Sequence, residues 1–327
     1  MFLPLTTDEF LDRILVVKNQ WKRSTIYYHA KVQHYKKHVR EKKPVKNILV
    51  MGDAPVPKLR EINEPCPALK WIQGYILRMV LDPATDQLMK CAHGCVPGRS
   101  TVTNAAPHVK SRWKIHMDLK DFFPTVTVQR VYGLFHKVFK YGPDLSWLLA
   151  NLTQYEGKLP QGAPTSPAIA NHVATPMDRH LVKLISKMGG YYTRYVDDLT
   201  FSFPRQMSDK NKTRFIKTVR EIVERNGFVV NEDKTSIIGR GSKMTVTGIV
   251  VNAKTSTPRW FRRNIRAALH QRALGVPSAD NDHVIGGKIA YVNMVCPEQA
   301  NAFHLKTCQV DDCKKCYGLA MKSKNAS

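Results

Sequence analysis

Apolar residues recur with two different periods along the chain, and each change of period marks a change of secondary structure. Residues 113–120 and 199–203 alternate strictly between apolar and polar positions, which predicts two half-buried strands. Three tyrosines within residues 191–195 favour a further strand just before the second of these. Asp197 and Asp198 lie between the two neighbouring strands, so we expect a hairpin that carries both carboxylates at its tip.

Helical spacing of apolar residues covers much of the remaining chain. It predicts helices at residues 69–80, 128–135, 167–188 and 215–223. Ser166 is placed to cap the third of these helices with Pro167 at its first position, and Gly189 and Gly190 are placed to end it. This order of strands and helices is typical of an α+β fold in which helices back an antiparallel sheet.

The segments outside this centre give simpler predictions. Residues 1–50 and 258–323 are expected to be helical, the first of them strongly basic, except that Val45 to Val50 are expected to form a strand. Residues 57–65 are expected to form a strand that carries Lys58 and Arg60 on one face, and Asn104 to His108 a short turn. A strand at 228–230 is expected to lead into the segment Asn231 to Thr235, followed by two more strands around Ile237 and at 244–251.

Charge narrows the class of partner. The chain of 327 residues has 51 lysines and arginines against 26 aspartates and glutamates, a net charge of +25 that is spread along its length. Such an excess favours a polyanion, most simply nucleic acid in a folded basic groove. We find no apolar run long enough to span a membrane and no signal peptide, and seven scattered cysteines favour a reducing cytosol.

Asp197 and Asp198 carry the candidate chemistry. Adjacent carboxylates repel one another, so a turn that holds both is costly unless a cation, usually a metal ion, compensates. Asp118 lies on the polar face of another predicted strand close to its end, a common place for a metal ligand. A solvated acidic turn is the alternative for the pair taken alone.

The order and spacing of several segments resemble the motifs of the reverse transcriptase family. Tyr195-Val-Asp-Asp198 resembles its catalytic hairpin, and Asp118 with Phe122 and Phe123 resembles its first metal-binding motif. Leu159-Pro-Gln-Gly162 resembles the family's nucleotide-site loop, and Ser166-Pro-Ala-Ile-Ala-Asn171 resembles the helix that follows it. Asn231-Glu-Asp-Lys-Thr235 resembles the motif that has a lysine beside the triphosphate.

Two further segments resemble boxes of the bacterial retron reverse transcriptases. They are Asn104-Ala-Ala-Pro-His108, upstream of the first aspartate, and Val246-Thr-Gly248, which in those enzymes is associated with recognition of a structured RNA. The resemblance implies a right-hand polymerase fold. We expect a basic helical extension at 1–50, fingers at 51–115 with part of 136–165, a palm at 116–251 with the catalytic aspartates, and a helical thumb at 252–327.

The same resemblance implies nucleotidyl transfer with two Mg²⁺ ions. Asp118, Asp197 and Asp198 are expected to be catalytic and to bind the metal, with the backbone carbonyl of Leu119 as a further ligand. Phe123 is expected to exclude a ribose 2′-hydroxyl and so to select deoxynucleoside triphosphates. The residues expected to contact the nucleotide are Phe123, Gln161, Lys234, Asp121, Lys58 and Arg60. A core phenylalanine and a solvated acid are the alternatives for Phe123 and Asp121.

The implied function is that of an RNA-directed DNA polymerase of a retron. Such an enzyme copies a cognate structured non-coding RNA into single-stranded DNA (msDNA), primed from the 2′-hydroxyl of a guanosine in that RNA. Contact with RNA is expected at Asn104, His108, Val246, Thr247, Gly248, Arg262, Arg263 and Arg266. The resemblance also implies a bacterial cytoplasmic enzyme that acts in antiphage defence with an accessory effector protein and without a membrane.

Some alternatives stay open. The chain is also compatible with another reverse transcriptase lineage, group II intron-like or CRISPR-associated, or with a catalytically inactive RNA-binding relative, although a binder has no need of three carboxylates. Two sets of residues suggest zinc by their ligand types, His304 with Cys308, Cys313 and Cys316, and Cys91 with His93 and Cys95. Irregular spacing favours reduced thiols for the first set.

Overall fold

The computed structural model describes residues 5–17, 22–41, 59–276 and 280–307. Its helices are α1 (Thr7–Val17), α2 (Arg23–Lys31), α3 (Pro67–Ile76), α4 (Thr101–Ala105), α5 (Val128–Gly133), α6 (Pro143–Thr153), α7 (Ser166–Lys187), α8 (Asp209–Arg225), α9 (Arg259–Ala273), α10 (Asp282–Val295) and α11 (Pro297–Thr307). Its strands are β1 (Tyr35–Glu41), β2 (Leu59–Pro65), β3 (Trp113–Lys120), β4 (Tyr191–Tyr195), β5 (Asp198–Phe203), β6 (Val229–Gly239), β7 (Thr245–Val246) and β8 (Ile249–Val250). The strand predicted at 45–50, Lys58, the side chain of His304 and the three tail cysteines lie outside the described residues.

A four-stranded antiparallel sheet forms the centre of the fold, in the order β4-β5-β3-β6. The apolar residues of β3 are fully buried and share one core with residues of α7 and α8. Burial of one face of each strand fixes the register, since a shift by one residue would turn every apolar side chain away from the helices. The predicted α+β architecture is therefore confirmed.

The segment after α8 differs from its prediction. We expected a short strand, a connecting segment and a new strand, but β6 runs without interruption from Val229 to Gly239. Ser236 of β6 pairs with His116 of β3, whereas Asn231 pairs with Asp118. An advance of two residues along β3 is thus matched by an advance of five residues along β6, so β6 bulges between these pairs. Pairing with β3 on both sides of the bulge keeps the segment within the sheet.

The prediction that residues 1–50 are helical is wrong for residues 35–41. These residues form β1, which pairs antiparallel with β2 along its whole length. The sequence of β1 is almost entirely polar and offers no apolar stripe for a helix to bury, so backbone pairing decides its conformation. The N–H of Asn63 in β2 donates to the carbonyl oxygen of Gln161 at 2.7 Å, which joins this ribbon to the loop before α7.

Two local predictions are corrected by hydrogen bonding. Asn104 to His108 is not a simple turn but the end of α4 and a short 3₁₀ helix, because Ser100 and Thr103 form a capping box that starts α4. Ser166 does not cap α7, since it is already helical. Its hydroxyl donates to the carbonyl oxygen of Pro160 at 2.7 Å and closes the preceding loop.

Residues after 258 are helical as far as they are described. Helices α9, α10 and α11 enclose their own small core, which includes Ile265, Ile289 and Phe303. A third cluster packs the β7–β8 hairpin against Ala105 of α4 and Val295 of α10. No helix among the described ranges is both long and apolar enough to cross a membrane.

His108 links the 3₁₀ helix after α4 to the central sheet. Its ring is fully buried, with Nδ1 at 2.7 Å from the hydroxyl of Ser202 and Nε2 at 2.8 Å from that of Thr193. Burial lowers the pKa of His108 to about 3, helped by the charge of Lys114. The folded protein therefore keeps this ring neutral at pH values where the unfolded chain protonates it.

We expect acid to destabilise the fold through His108. Its folded pKa of about 3 lies below the unfolded value of 6.5, so its contribution is complete above pH 6.5 and is lost as pH falls towards 3. The free energy of unfolding is measured with urea at pH 7.5 and at pH 5. Its decrease between these two pH values should be smaller in His108→Gln than in wild type, and the loss due to His108 is at most about 1.4 kcal/mol per pH unit below 6.5. The exposed His270→Gln is the control, and an equal pH dependence in all three proteins would contradict the expectation.

Candidate active site

Three carboxylates from distant parts of the chain meet at one end of the central sheet. The register of β3 and β5 sets Asp118 directly opposite Asp198. Asp197 belongs to the tight turn between β4 and β5, and its carbonyl oxygen accepts a hydrogen bond from the N–H of Leu119 at 2.9 Å. That bond draws the turn onto β3, so the geometry brings together all three acids that the sequence selected.

The electrostatics of this cluster favour a bound cation. Burial raises the pKa of Asp197, and the charges of Asp198 and Asp118 raise it further. Burial and the charge of Asp118 likewise raise the pKa of Asp198. Carboxylates that oppose each other's ionisation offer a donor set of hard oxygen atoms that suits Mg²⁺. The residues present therefore fit a divalent metal.

Lys234 partly compensates the negative charge. Its Nζ donates to Oδ1 of Asp118 at 2.6 Å, and Asn231 Nδ2 donates to Oδ2 of the same carboxylate at 3.4 Å. Both residues belong to the bulged part of β6, where the register with β3 shifts. A regular strand would hold Lys234 elsewhere, and the bulge turns it towards Asp118.

Two basic side chains beside the cluster were missed by sequence reasoning. His116 Nε2 lies 3.7 Å from Oδ1 of Asp198, and burial lowers the pKa of His116. Lys114 is 4% exposed and donates to the carbonyl oxygen of Thr245, and burial lowers its pKa to about 8. The alternation of β3, which sets both residues on the face of Asp118, was the available signal.

The turn that carries Asp197 is strained and is held by a buried arginine. Val196 has a φ of 60°, a conformation that a β-branched side chain rarely adopts. Arg194, fully buried, donates from Nη1 to the carbonyl oxygen of Val196 at 3.0 Å and to Asn171 Oδ1 at 2.8 Å. Its Nε and Nη2 bind the buried carboxylate of Asp178. This network fixes the turn to α7.

Gly94 completes the support of the turn from the other side. Its carbonyl oxygen accepts a hydrogen bond from Asn171 Nδ2 at 2.9 Å. A Cβ at this position would lie 2.5 Å from the backbone nitrogen of Val196, closer than real contacts allow. The turn can therefore approach only because residue 94 has no side chain.

Comparison with known proteins agrees with this geometry. The model of the family described as reverse transcriptase (RNA-dependent DNA polymerase) matches residues 42–251, a range that includes all three carboxylates. The chain belongs to the reverse transcriptase family. The predicted right-hand polymerase fold is confirmed with it.

Retron enzymes are among the relatives of this reverse transcriptase, which confirms the resemblance seen in its sequence. It is 37% identical over 277 residues to the Retron Mx162 reverse transcriptase of Myxococcus xanthus, covering 75% of this chain and 56% of that one. It is 36% identical to the Retron Mx65 reverse transcriptase of the same organism, covering 82% of this chain and 66% of that one. It is 34% identical to the Retron Ec86 reverse transcriptase of Escherichia coli, covering 71% of each chain. The chain thus spans less than two thirds of the length of the first two relatives.

The residues predicted to bind the nucleotide differ in burial and in their contacts. Phe122 is buried in the core, whereas Phe123 is partly exposed, which favours Phe123 for contact with a ligand. Gln161 contributes its backbone to β2, and Asp121 is an exposed residue at φ 47° just after β3. Among the described residues, Lys234 is the one predicted nucleotide ligand that contacts an active-site carboxylate.

Arg60 faces another arginine instead of the carboxylates. It is exposed on β2, and its partner across the ribbon in β1 is Arg40. Like charges directly opposite each other destabilise a strand pair. An anionic ligand at the ribbon would relieve this repulsion.

The two retron boxes of the reverse transcriptase meet in space. Asn104 Nδ2 donates to Oγ1 of Thr247 at 3.4 Å across 143 residues of chain. Asn104, His108 and Val246, which the sequence predicts to contact RNA, are at most 1% exposed, so their side chains offer RNA almost no surface in this conformation. Thr247 and Gly248 form the turn of the β7–β8 hairpin, with Gly248 exposed, and remain accessible.

The three arginines of α9 that are predicted to contact RNA also differ from one another. Arg262 donates to the carbonyl oxygen of Thr257, and Arg266 lies over the ring of Phe303 at 5.6 Å. Arg263 is exposed on α9. Of the three, Arg263 is therefore the one most available to a phosphate.

The predicted zinc pattern at Cys91, His93 and Cys95 does not form a site. Nδ1 of His93 is at 2.9 Å from the hydroxyl of Thr103, and Cys91 is buried while Cys95 is exposed. These three side chains do not gather their donor atoms in the described part of the chain.

Gly94→Ala should displace the active-site turn. The added Cβ meets the backbone of Val196, so we expect the rate of DNA synthesis to fall by at least about 10-fold, the scale on which small misplacements act. Gly74→Ala in α3, where nothing lies within 4 Å of the new Cβ, is the control. The rates are measured on a primed RNA template, and unchanged synthesis by Gly94→Ala would show that the turn tolerates the shift.

Proposed function

We propose that this protein is the RNA-directed DNA polymerase of a retron and that it copies a structured non-coding RNA into single-stranded DNA. The observation that carries the proposal is the convergence of Asp118, Asp197 and Asp198 at the end of the sheet. The family membership and the retron relatives support it. The relatives favour a retron over a group II intron-like or CRISPR-associated lineage, and the three intact carboxylates favour an enzyme over an inactive RNA-binding relative.

The three aspartates, with the backbone carbonyl of Leu119, would hold two Mg²⁺ ions. When bound, the ions supply charge stabilisation and activation of the attacking 3′-hydroxyl. The protein's own part is to hold the carboxylates in place through the Leu119–Asp197 hydrogen bond and the Arg194 network. Lys234 reaches the edge of the cluster and is available to neutralise phosphate oxygens once it leaves Asp118.

Deoxynucleoside triphosphates are the proposed substrates. Phe123 is partly exposed three residues after the end of β3, where its ring would exclude a ribose 2′-hydroxyl. Gln161 and Asp121 lie on neighbouring loops and are proposed to contact the nucleotide. Arg60 with Arg40 is proposed to bind phosphates of the nucleotide or template, because their mutual repulsion favours an anion.

A cognate structured RNA is the proposed template. Thr247, Gly248 and Arg263 are the proposed contacts, while Asn104 and Val246 act indirectly by supporting the hairpin. The net charge of +25 supports a nucleic-acid partner. Priming from a guanosine 2′-hydroxyl, the msDNA product, antiphage defence with an effector protein and a bacterial cytoplasmic location follow from the retron assignment and rest on it.

The division into domains is part of the same proposal. We assign the fingers to residues 51–115 with part of 136–165, the palm to 116–251 and the thumb to 252–327. The ribbon of β1 and β2 adds residues 35–41 to the fingers and leaves the helices α1 and α2 in the extension at 1–50.

Asp197→Asn tests the polymerase assignment. It removes one ionisable carboxylate with little change of shape, so Mg²⁺-dependent synthesis on RNA should fall by about 100-fold or more while RNA binding is retained. Wild-type cells should also yield a branched RNA–DNA species that Asp197→Asn cells lack. Asp209→Asn, an exposed acid at the start of α8, is the control. Retained synthesis in Asp197→Asn would refute the assignment, and synthesis without a branched product would refute the retron part.

Phe123→Val tests the choice of sugar. The smaller side chain opens space beside the nucleotide, so incorporation of ribonucleotides relative to deoxynucleotides should rise by about 10-fold or more. The ratio of kcat/KM for the two sugars measures this directly. Phe122→Leu, a change in the buried neighbour, should leave the ratio unchanged, and equal ratios in Phe123→Val and wild type would mean that another group selects the sugar.

A further inference from the structure

A group of metal-ligating side chains lies outside the polymerase site. His29 belongs to α2, His34 to the turn before β1, and Cys66 immediately precedes α3. One donor atom of each residue lies within 4.8 Å of those of the other two. The N–H of Cys66 donates to the carbonyl oxygen of His34 at 2.9 Å, which holds two of the three backbones together.

His29 has an unsatisfied nitrogen in this group. The residue is 7% exposed, and its Nδ1 has no hydrogen-bond partner. A buried polar atom without a partner is costly and needs an explanation. Burial lowers the pKa of His29, and the neighbouring His34 lowers it further. The ring is thus kept in the neutral form that binds metals.

We propose that His29, His34 and Cys66 bind a zinc ion. Two imidazoles and a thiolate are the ligands that zinc prefers, and they disfavour Mg²⁺. Tetrahedral zinc with its usual bond lengths sets donors roughly 3.3–3.6 Å apart, so the three atoms need to close by at most about 1.5 Å. His34 is exposed and Cys66 is half-buried, so both side chains have room to rotate, and His34 Nε2 would exchange its 3.4 Å contact with the Tyr28 hydroxyl for the metal.

The fourth position is open to water. A surface cleft lined by His34, Glu64, Cys66 and Lys70 adjoins the group. Glu64 at the same cleft pairs with Lys70 Nζ at 2.9 Å in an exposed ion pair, so water fills the fourth position as long as Glu64 keeps that partner. On binding, the Cys66 thiol loses its proton to solvent and the sulfur forms the bond to zinc.

Such a site would tie one helix of the N-terminal extension to two elements of the fingers. It would fix α2, the start of β1 and the start of α3 at one point, and hence the base of the ribbon that carries Arg40 and Arg60. With three protein ligands the site would be more open than the closed four-ligand zinc sites of small domains, and its effect on the fold would come from joining these three elements.

The metal content of the full chain, purified without a histidine tag, tests the proposal. Wild type should hold about one zinc per chain, and Cys66→Ser and His29→Asn should each lose most of it. Serine is a favoured residue at a helix start, so Cys66→Ser should preserve α3. The matched control replaces Cys308, Cys313 and Cys316 by serine and should keep its zinc. Absence of zinc from wild type, its retention in both single variants or its loss in the control would overturn the proposal.

Cobalt substitution and stability give a second readout. Co²⁺-loaded wild type should show a thiolate-to-metal charge-transfer band that Cys66→Ser lacks. A chelator selective for zinc over magnesium should lower the midpoint temperature of unfolding of wild type and leave that of Cys66→Ser unchanged. A charge-transfer band of equal strength in both proteins, or an equal response to the chelator, would count against the site.

Discussion

The active site depends on one buried ion pair. Arg194 and Asp178 are both fully buried, and neither charge could be kept out of water without the other. Asp178 accepts from Nε and Nη2 of the guanidinium, which leaves Nη1 to hold the carbonyl of Val196 and the side chain of Asn171. Because removal of one partner of such a pair costs about 3–5 kcal/mol, the turn inherits the rigidity of the core behind it. A strained backbone that carries Asp197 thereby keeps a single conformation.

The electrostatics of the three carboxylates depend on this fixed turn, because it keeps Asp197 and Asp198 close to Asp118. Burial and the charges of neighbouring carboxylates raise the pKa of Asp197 and of Asp198, and the bulge of β6 supplies Lys234 as a counter-charge. The lysine is about half exposed, so its ion pair with Asp118 is easily exchanged for another partner. The site is thus organised around negative charge before any ligand arrives. That is the preorganisation on which electrostatic catalysis relies.

Local patterns in the sequence were sufficient for the parts of the fold that depend on local burial. The alternation in β3 and the stripe of α7 gave these elements correctly, and the acids were placed at strand ends. Pairing between distant segments was not visible in this way. The strand β1 and the bulge of β6 depend on partners elsewhere in the sheet. The buried ion pair did leave a signal in the sequence. The alternation of β4 places Arg194 on the same buried face as Tyr192, and Asp178 lies within the apolar stripe of α7, so each charge interrupts an apolar surface.

The hydrogen bond between Asn104 and Thr247 has a thermodynamic consequence. Both residues contribute to the support of one hairpin, although 143 residues separate them. Replacing either one removes the same bond, so their effects on unfolding cannot be additive, and a double-mutant cycle should yield a coupling energy. The hairpin also packs on Val295 of α10, which extends that coupling to the C-terminal helices. Evolution of either box is therefore restricted by the other.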